Sequence, residues 1–337
     1  MQADVEAYLE LLDGPLVEQW LIRVGAERYL WYIRGHHIIL DGYAMMLLEQ
    51  RCARLYMHFL GRGDAGPPFH PFASYLAEEK RYCTSPRFAT DRLYWKNYLE
   101  QGRLPSLHKD QEGYGGGGLH HESSLSPTIS QLLRQLANET GIGWPDLLIL
   151  LSGAYLYQHL PAARSGNGSL LPLWLPLMSR WGSVGAYMPA MVVNILPLWI
   201  DIRQEETLGM FLRRQAGALR EQRAHSRYRI EQIALDQRLG QGRRYFFSPL
   251  VNVLPFDPPQ FTNCRVTREI LSSGYGDGFN ITYHSHSDGA ELMVDIDADP
   301  AMTNLEDFAR HRLDLPAFLS HALKPGSLHR RLETLCP

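Results

Sequence analysis

Cysteine is scarce in this chain. Cys52, Cys83, Cys264 and Cys336 lie far apart and form no CxxC pair among 337 residues. That spacing excludes a zinc ribbon and a disulfide framework, and reduced thiols in a cytosolic protein fit it better. A surplus of either charge is also lacking. Lys and Arg number 33 against 36 Asp and Glu, for a net charge of -3, so nothing draws the chain to nucleic acid or to an acidic membrane surface. No apolar run reaches the length of a membrane span. The first residues, "MQADVEAYLELLDG", carry acids where a signal peptide would be basic and then apolar. The expectation is a soluble, cytoplasmic protein with no nucleic-acid or membrane partner.

Several chemical motifs are missing too. "GYGGGG" (113–118) is followed by no GKS or GKT, so it reads as a loose connection between lobes, not a phosphate loop. There is no GxSxG elbow, no HExxH and no dinucleotide fingerprint after a strand. His284 and His286 share a strand face but lack a third ligand, so no metal site is expected. Cys52 falls on an apolar helix face and reads as core rather than nucleophile.

What is present is a mixed α/β pattern, long enough for two packed lobes or one large domain. "LVEQWLIRV" (16–24) and "YLWYIR" (29–34) read as strands joined by a hairpin at Gly25-Ala26-Glu27. A helix follows, with Leu48, Cys52, Leu55 and Phe59 on one face and Gly61 and Gly63 past its end. Residues 73–100 read as helix in two pieces, broken near Ser85-Pro86. Trp144-Pro145-Asp146 opens a very apolar helix to about His159, with Pro145 suited to a first turn. "LLPLWLPLM" (170–178) and "AMVVNILPLWIDI" (190–202) are near-continuous apolar runs, as in strands buried on both faces. "ETLGMFLRRQAGALREQRAH" is an amphipathic helix. "FSPLVNVLPF", "CRVTREIL", "FNITYHSH" and "ELMVDID" read as strands, and "LEDFARHRLDLPAFLSHAL" as a closing helix.

The chemistry concentrates in "WYIRGHHIILDGYAMML" (31–47). If the strand continues to about residue 40, alternation sends His37 and Ile39 one way and His36 and Ile38 the other. One imidazole then faces a cavity while its neighbour packs into structure. Asp41 can cap the next helix or bind a cation across an interface, and Gly42 lets the backbone bend and leaves room beside it. A histidine with an ordinary pKa near 6.5 can accept a proton at pH 7, and the helix N-terminus beside it disfavours a positive charge. That suits deprotonating an amine or hydroxyl as it attacks a carbonyl. The same pair, read from the residues alone, also fits a purely structural role.

"HHIILDG" resembles the HHxxxDG signature of nonribosomal peptide synthetase condensation domains; a shorter HxxxD form occurs in chloramphenicol acetyltransferase and plant acyltransferases. "FHPFASYLAEEKRY" with "DRLYWKNYLE", "VGAYMPAMVVNILPLWIDI", "HSRYRIEQI" and "FFSPLVNVLPFD" are similar to later segments of that family. The likeness covers nearly the whole chain and is greatest to siderophore synthetases of the enterobactin type. It implies an α/β (α+β) chloramphenicol-acetyltransferase-like fold, two lobes in a V with a tunnel between them. Residues 1–84 would form a partial N-terminal lobe and 85–337 the C-terminal lobe. The first lobe is expected to be incomplete, because family domains begin about a hundred residues earlier, leaving an open sheet edge and exposed apolar surface.

The resemblance implies amide formation between an acyl thioester, aryl in the siderophore branch, and an aminoacyl amine with a Ser- or Thr-like side chain. Both would ride on the 4'-phosphopantetheine arms of donor and acceptor carrier proteins (an aryl carrier and a peptidyl carrier), with an adenylation domain of the same assembly line as a further partner. The chain itself would bind no cofactor and no metal. His37 would face the reaction centre, with His36, Asp41 and Gly42 supporting it. Asp41 would pair with an arginine of the second lobe, for which Arg180 in "LMSRWG" is the candidate. Tyr43, Asn194, Asn280 and Tyr283 are candidates to line the tunnel. Two other readings remain at this point: an acyltransferase of the same superfamily using coenzyme A or free substrates, and an inactive remnant that docks carriers.

Overall fold

The computed structural model describes residues 10–102, 118–165, 169–180, 182–238, 246–271 and 278–335. "GYGGGG" therefore lies outside the described residues, except for Gly118. Contacts divide the chain into two compact units. The first comprises residues 1–81 together with 180–193 and 258–274; the second comprises 82–179, 194–257 and 275–337.

In the first unit, strands β1 (Val17–Arg23) and β2 (Tyr29–Gly35) form an antiparallel hairpin in which Val17 faces Gly35 and Arg23 faces Tyr29. Glu18 and Arg34 are opposite one another and ion-paired at 2.5 Å, and the Trp20 and Tyr32 rings stack at 5.1 Å. Such directly opposed pairs are the unit of sheet stabilisation. Helix α1 (Gly42–Phe59) starts at Asp41, whose carboxylate accepts from the Ala44 N–H. Helix α2 (Phe72–Cys83) leads out of the unit.

Three sequence expectations fail in this unit. β2 ends at Gly35, and residues 37–39 are a turn rather than more strand. β1 offers no partner beyond Val17; the last link is His36 N–H to Leu16 O at 2.9 Å. The chain then folds back so that Ile39 and Leu40 N–H groups reach His36 O. Leu40 closes over Gly35 so tightly that a Cβ there would sit 2.8 Å from its Cδ1. "CRVTREIL" forms no strand: Cys264 Sγ lies 3.8 Å from the Tyr56 hydroxyl and Arg268 reaches Glu49 at 3.2 Å, while Phe261, just before it, packs edge-on to Trp31 and Tyr56, so this stretch is spent on side-chain contacts. Finally, the covered face of α1 is Ala44, Leu47, Glu49 and Ala53, while Phe59 is 82 % exposed. What packs on a helix selects its face, and here the packing segment is some two hundred residues away in sequence.

The second unit is built on a six-stranded sheet in the order β3-β8-β7-β6-β4-β5, with β3 Leu119–Ser124, β4 Leu171–Leu177, β5 Asn194–Ile200, β6 Leu250–Pro255, β7 Phe279–Ser285 and β8 Met293–Ala298. β7–β6 and β6–β4 are parallel and the other pairs antiparallel. The polar strand β3, "LHHESS", was not anticipated; it alternates half-buried with exposed residues, as an edge strand does. The apolar runs at β4 and β5 are buried on both faces.

Helices α3 (Pro86–Leu99), α4 (Pro127–Thr140), α5 (Trp144–His159), α6 (Leu208–Ala224), α7 (Ile230–Asp236) and α8 (Leu305–Ala322) complete the unit. Ser85, Ser126, Thr207 and Asn304 cap four of them by accepting an N–H three residues on, and Pro86 and Pro127 occupy first positions where no N–H is needed. α5 is buried all round from Leu147 to Leu156, as expected of a helix without a polar face, and packs on α4, α6, α8 and β6. At Gly153 a side chain would meet Ile200 and Leu173 at 3.0–3.1 Å, so glycine sets how closely helix and sheet approach. Among the described residues no helix is long and apolar enough to cross a membrane.

Candidate functional site

The turn 36–40 parts the two imidazoles by a different means from strand alternation. His36 is half-buried, and its Nδ1 accepts the Ile38 N–H at 3.0 Å, which leaves the ring hydrogen on Nε2. That ring is part of the turn. His37 is exposed at the start of the turn, four residues before the N-cap of α1, and no hydrogen bond ties its ring among the described residues.

Asp41 anchors the other end of this turn and is 4 % exposed. Its Oδ1 accepts from Ala44 N–H (2.8 Å), and its Oδ2 from Val192 N–H (2.9 Å) and Val193 N–H (3.1 Å). Arg180 Nη2 donates to both oxygens, at 2.8 and 2.7 Å. Arg180 is 2 % exposed and also donates to the carbonyls of Gly185, Met188 (2.8 Å) and Ala190 (2.6 Å). Burying two charges is costly unless the geometry is good and the remaining valences are filled. Here the carboxylate receives five donated bonds and the guanidinium gathers the carbonyls of Gly185, Met188 and Ala190, while Arg180 Nε is left without a hydrogen-bond partner among the described residues. Tyr43 joins the cluster: Arg180 lies over its ring at 4.9 Å, and its hydroxyl donates to Ala186 O at 3.3 Å.

Gly42 is the first residue of α1, exposed, and takes no positive φ. The bend is thus made by the 37–39 turn, not by Gly42.

Asp41 and Arg180 meet inside the first unit, to which the segment 180–193 belongs by contact. The remaining candidates are in the second unit. Asn194 is 1 % exposed and fully committed to backbone: its Nδ2 donates to Ser226 O and Tyr228 O at 2.8 and 2.9 Å, and its Oδ1 accepts from Ile230 N–H at 3.0 Å. It pins "HSRYRI" to the start of β5. Tyr283 is fully buried, bonded to Ser152 at 2.8 Å, and burial pushes its phenol pKa up. Asn280 is half-buried on β7.

The sequence reading missed how much backbone serves this site. Three carbonyls and two N–H groups of 185–193 hold the Asp41–Arg180 pair, and no side-chain motif advertises them. Glu78 on α2 adds a further tie by accepting the Val184 N–H at 3.0 Å. The one available signal was the run of small and bent residues, Gly185, Pro189 and Ala190, beside a lone arginine. Among the described residues no group of His, Cys, Asp and Glu is arranged to hold a metal ion.

A family model described as the condensation domain matches residues 1–293. The structure is similar to the crystal structure of VibH, a nonribosomal peptide synthetase condensation enzyme, with a TM-score of 0.85 and 37% identity over 96% of this chain and 74% of that one. Among curated proteins, enterobactin synthase component F of Escherichia coli strain K12 is 29% identical over 335 residues, and the isonitrile lipopeptide synthase of Streptomyces coeruleorubidus 30% over 326. Each match takes in 96% of this chain, but the chain spans only 24% and 22% of those two proteins.

Proposed function

This chain belongs to the condensation-domain family, acyl-transferring and amide-forming enzymes of nonribosomal peptide synthesis, and we propose that it condenses a carrier-bound acyl thioester with a carrier-bound aminoacyl amine. The donor is an aryl acyl group, a reading supported by the enterobactin-type likeness. Donor and acceptor arrive on the 4'-phosphopantetheine arms of an aryl carrier and a peptidyl carrier, loaded by an adenylation domain of the same cytoplasmic assembly line. The chain contributes no cofactor or metal of its own.

The observation that carries this reading is the unencumbered His37 imidazole on a turn whose far end is locked by a buried ion pair tied to the surrounding backbone. In the proposed step His37 takes the proton as the acceptor nitrogen attacks the thioester carbonyl. The tetrahedral intermediate collapses, the C–N bond remains, the C–S bond breaks, and the proton returns to the departing thiolate. His36 keeps the turn in shape, Asp41 and Arg180 fix its exit into α1, and Gly42 leaves passage for an arm; Tyr43 supports Arg180. Tethering both reactants supplies part of the rate, since well-oriented partners reach effective molarities of about 10⁵ M or more.

The test follows the mass of an aminoacyl carrier, from a panel that includes seryl, incubated with an aryl-loaded carrier and the purified chain. The expected result is a gain of one acyl group. A drop of about 10²-fold in His37→Ala assigns general-base work to the ring, and a smaller drop assigns orientation. Absence of any gain, with the same carriers condensing on a longer family member, overturns the proposal for this chain.

A further inference from the structure

The hairpin of the first unit leaves one edge bare. Its register runs without a bulge from Val17 opposite Gly35 to Arg23 opposite Tyr29. Two bonds at its ends, His36 N–H to Leu16 O and Val24 N–H to Arg28 O, fix which residues face the partner strand. Directly opposed residues of an antiparallel pair alternate between hydrogen-bonded and non-hydrogen-bonded. The even-numbered residues of β1 therefore bond to β2, and the N–H and C=O groups of Val17, Gln19, Leu21 and Arg23 point the other way. Among the described residues no hydrogen bond reaches them, and the sheet has no third strand.

The edges of the larger sheet are protected by comparison. At β5 the Trp199 N–H is taken by the Tyr98 hydroxyl, and β3, at the opposite edge, carries His120, Glu122 and serines. Natural edge strands are kept from pairing by charges, proline, bulges or a cover. Between Glu18 and Arg23, β1 has none of these: the sequence there is Gln19-Trp20-Leu21-Ile22, and Leu21 is 72 % exposed. Leu12 and Val24, before and after the strand, are exposed as well. A two-stranded ribbon is marginal in water, and further strands stabilise it.

We infer that β1 is a dimerisation edge whose partner is β1 of a second copy of this chain. A two-fold axis brings the same edge of each copy together, with the two strands antiparallel. Outward-pointing groups meet outward-pointing groups, so odd residues pair with odd and even with even. The register centred on Leu21 sets Leu21 against itself across the axis, Trp20 against the second copy's Ile22, and Gln19 against the second copy's Arg23. Apolar then meets apolar, polar meets polar, and no like charges face one another. The neighbouring registers set Leu21 against Gln19 or Arg23, an apolar side chain against a polar one. The product is a four-stranded sheet, β2-β1-β1-β2, in which the bare groups of Gln19, Leu21 and Arg23 are bonded in both copies. The pairing rests on the hairpin alone and is independent of the condensation reading.

Sedimentation equilibrium of the intact chain across micromolar concentrations tests it, and a monomer–dimer equilibrium is expected. The Leu21 side chain is exposed in a single copy, so Leu21→Lys and Leu21→Glu are expected to keep the fold, which thermal unfolding checks. Each sets two like charges together on the axis and should weaken the dimer about tenfold or more. An equimolar mixture of the two variants should recover it, because opposite charges then face each other. Amide exchange reads the register: the N–H groups of Gln19, Leu21 and Arg23 should gain protection in the wild-type dimer over the Leu21→Lys monomer, beyond any gain at Trp20 and Ile22. A chain that stays monomeric, a dimer unmoved in folded Leu21→Lys, or a mixture that fails to recover overturns the inference, even if condensation proceeds.

Discussion

At the scale of single residues, the Asp41–Arg180 pair determines whether the turn bearing His37 has a defined shape. Removing either partner strands a buried charge, and such deletions typically cost 3–5 kcal/mol. Asp41→Ala and Arg180→Ala are each expected to lower unfolding free energy by about 3 kcal/mol or more. The double variant should lose clearly less than the sum, because neither charge is then orphaned. Urea titrations of the four proteins check this, and strict additivity would contradict it. His311 supplies a second residue-scale prediction. It is buried, shares a hydrogen bond of 2.7 Å with the Tyr155 hydroxyl, and its pKa is pushed down to about 4 by burial and by His159 nearby. The unfolded chain, with an ordinary histidine, then takes up the proton first. Stability from this group is whole above about pH 6.5 and declines as pH falls toward 4. After allowance for solvent screening, the loss between pH 7 and 5 is about 1 kcal/mol. His311→Gln keeps a partner for Tyr155 but cannot titrate, so its urea midpoint should fall less over that interval than the wild-type one.

At the scale of elements, what was legible in the sequence was whatever local chemistry decides. Ser85-Pro86 announced the start of α3, Trp144-Pro145-Asp146 placed α5 to the residue, and apolar runs marked β4 and β5, whereas α4, which Ser126-Pro127 opens, was not anticipated. What failed depended on distant partners. β2 stops at Gly35 because β1 has run out, "CRVTREIL" is claimed by side chains of α1, and β3 is a strand only because β8 lies beside it. The site divides the same way. "HHIILDG" identified the acid at the helix start but not the 37–39 turn, which was read as strand, and Arg180 was reached through resemblance, whereas the carbonyls and amides of 185–193 that seat the pair belong to backbone no motif records. The edge of the sheet shows the same dependence. β5 ends the strand order, yet its Trp199 N–H donates to the Tyr98 hydroxyl of α3 at 2.8 Å, and Trp199 Nε1 donates to Tyr98 O at 3.2 Å. A helix thereby covers an edge that would otherwise invite pairing with another chain. Tyr98→Phe removes the acceptor and leaves a buried N–H unpaired, for an expected loss of about 1–3 kcal/mol. An unchanged urea midpoint would show that another group satisfies Trp199.

At the scale of the whole molecule, the buried apolar residues are distributed very unevenly. Among the described residues, a continuous hydrophobic cluster from Trp95 to Leu335 lies entirely in the second unit and includes fully buried Trp174, Tyr155, Phe211 and Phe318. The first unit buries Tyr32, Leu40, Ala44, Leu47, Ala53, Met188 and Val192, while Leu12, Leu21 and Phe59 are 91, 72 and 82 % exposed. Regions with few buried apolar contacts open at lower free energy than a chain's core. Amide exchange should therefore be slowest in α5 and in β4, β6 and β7, and faster by orders of magnitude in the β1–β2 hairpin and the 36–40 turn. The order matters for function, since His37 lies in the weaker unit. In rising urea, condensation activity should vanish at a lower concentration than the far-ultraviolet signal of the second unit's helices. Coincident transitions would mean that the two units unfold as one cooperative body. Separate transitions would locate the fragility of catalysis in the turn's own surroundings, and stabilising changes in the first unit should then raise the urea concentration at which activity is lost while leaving the later transition in place.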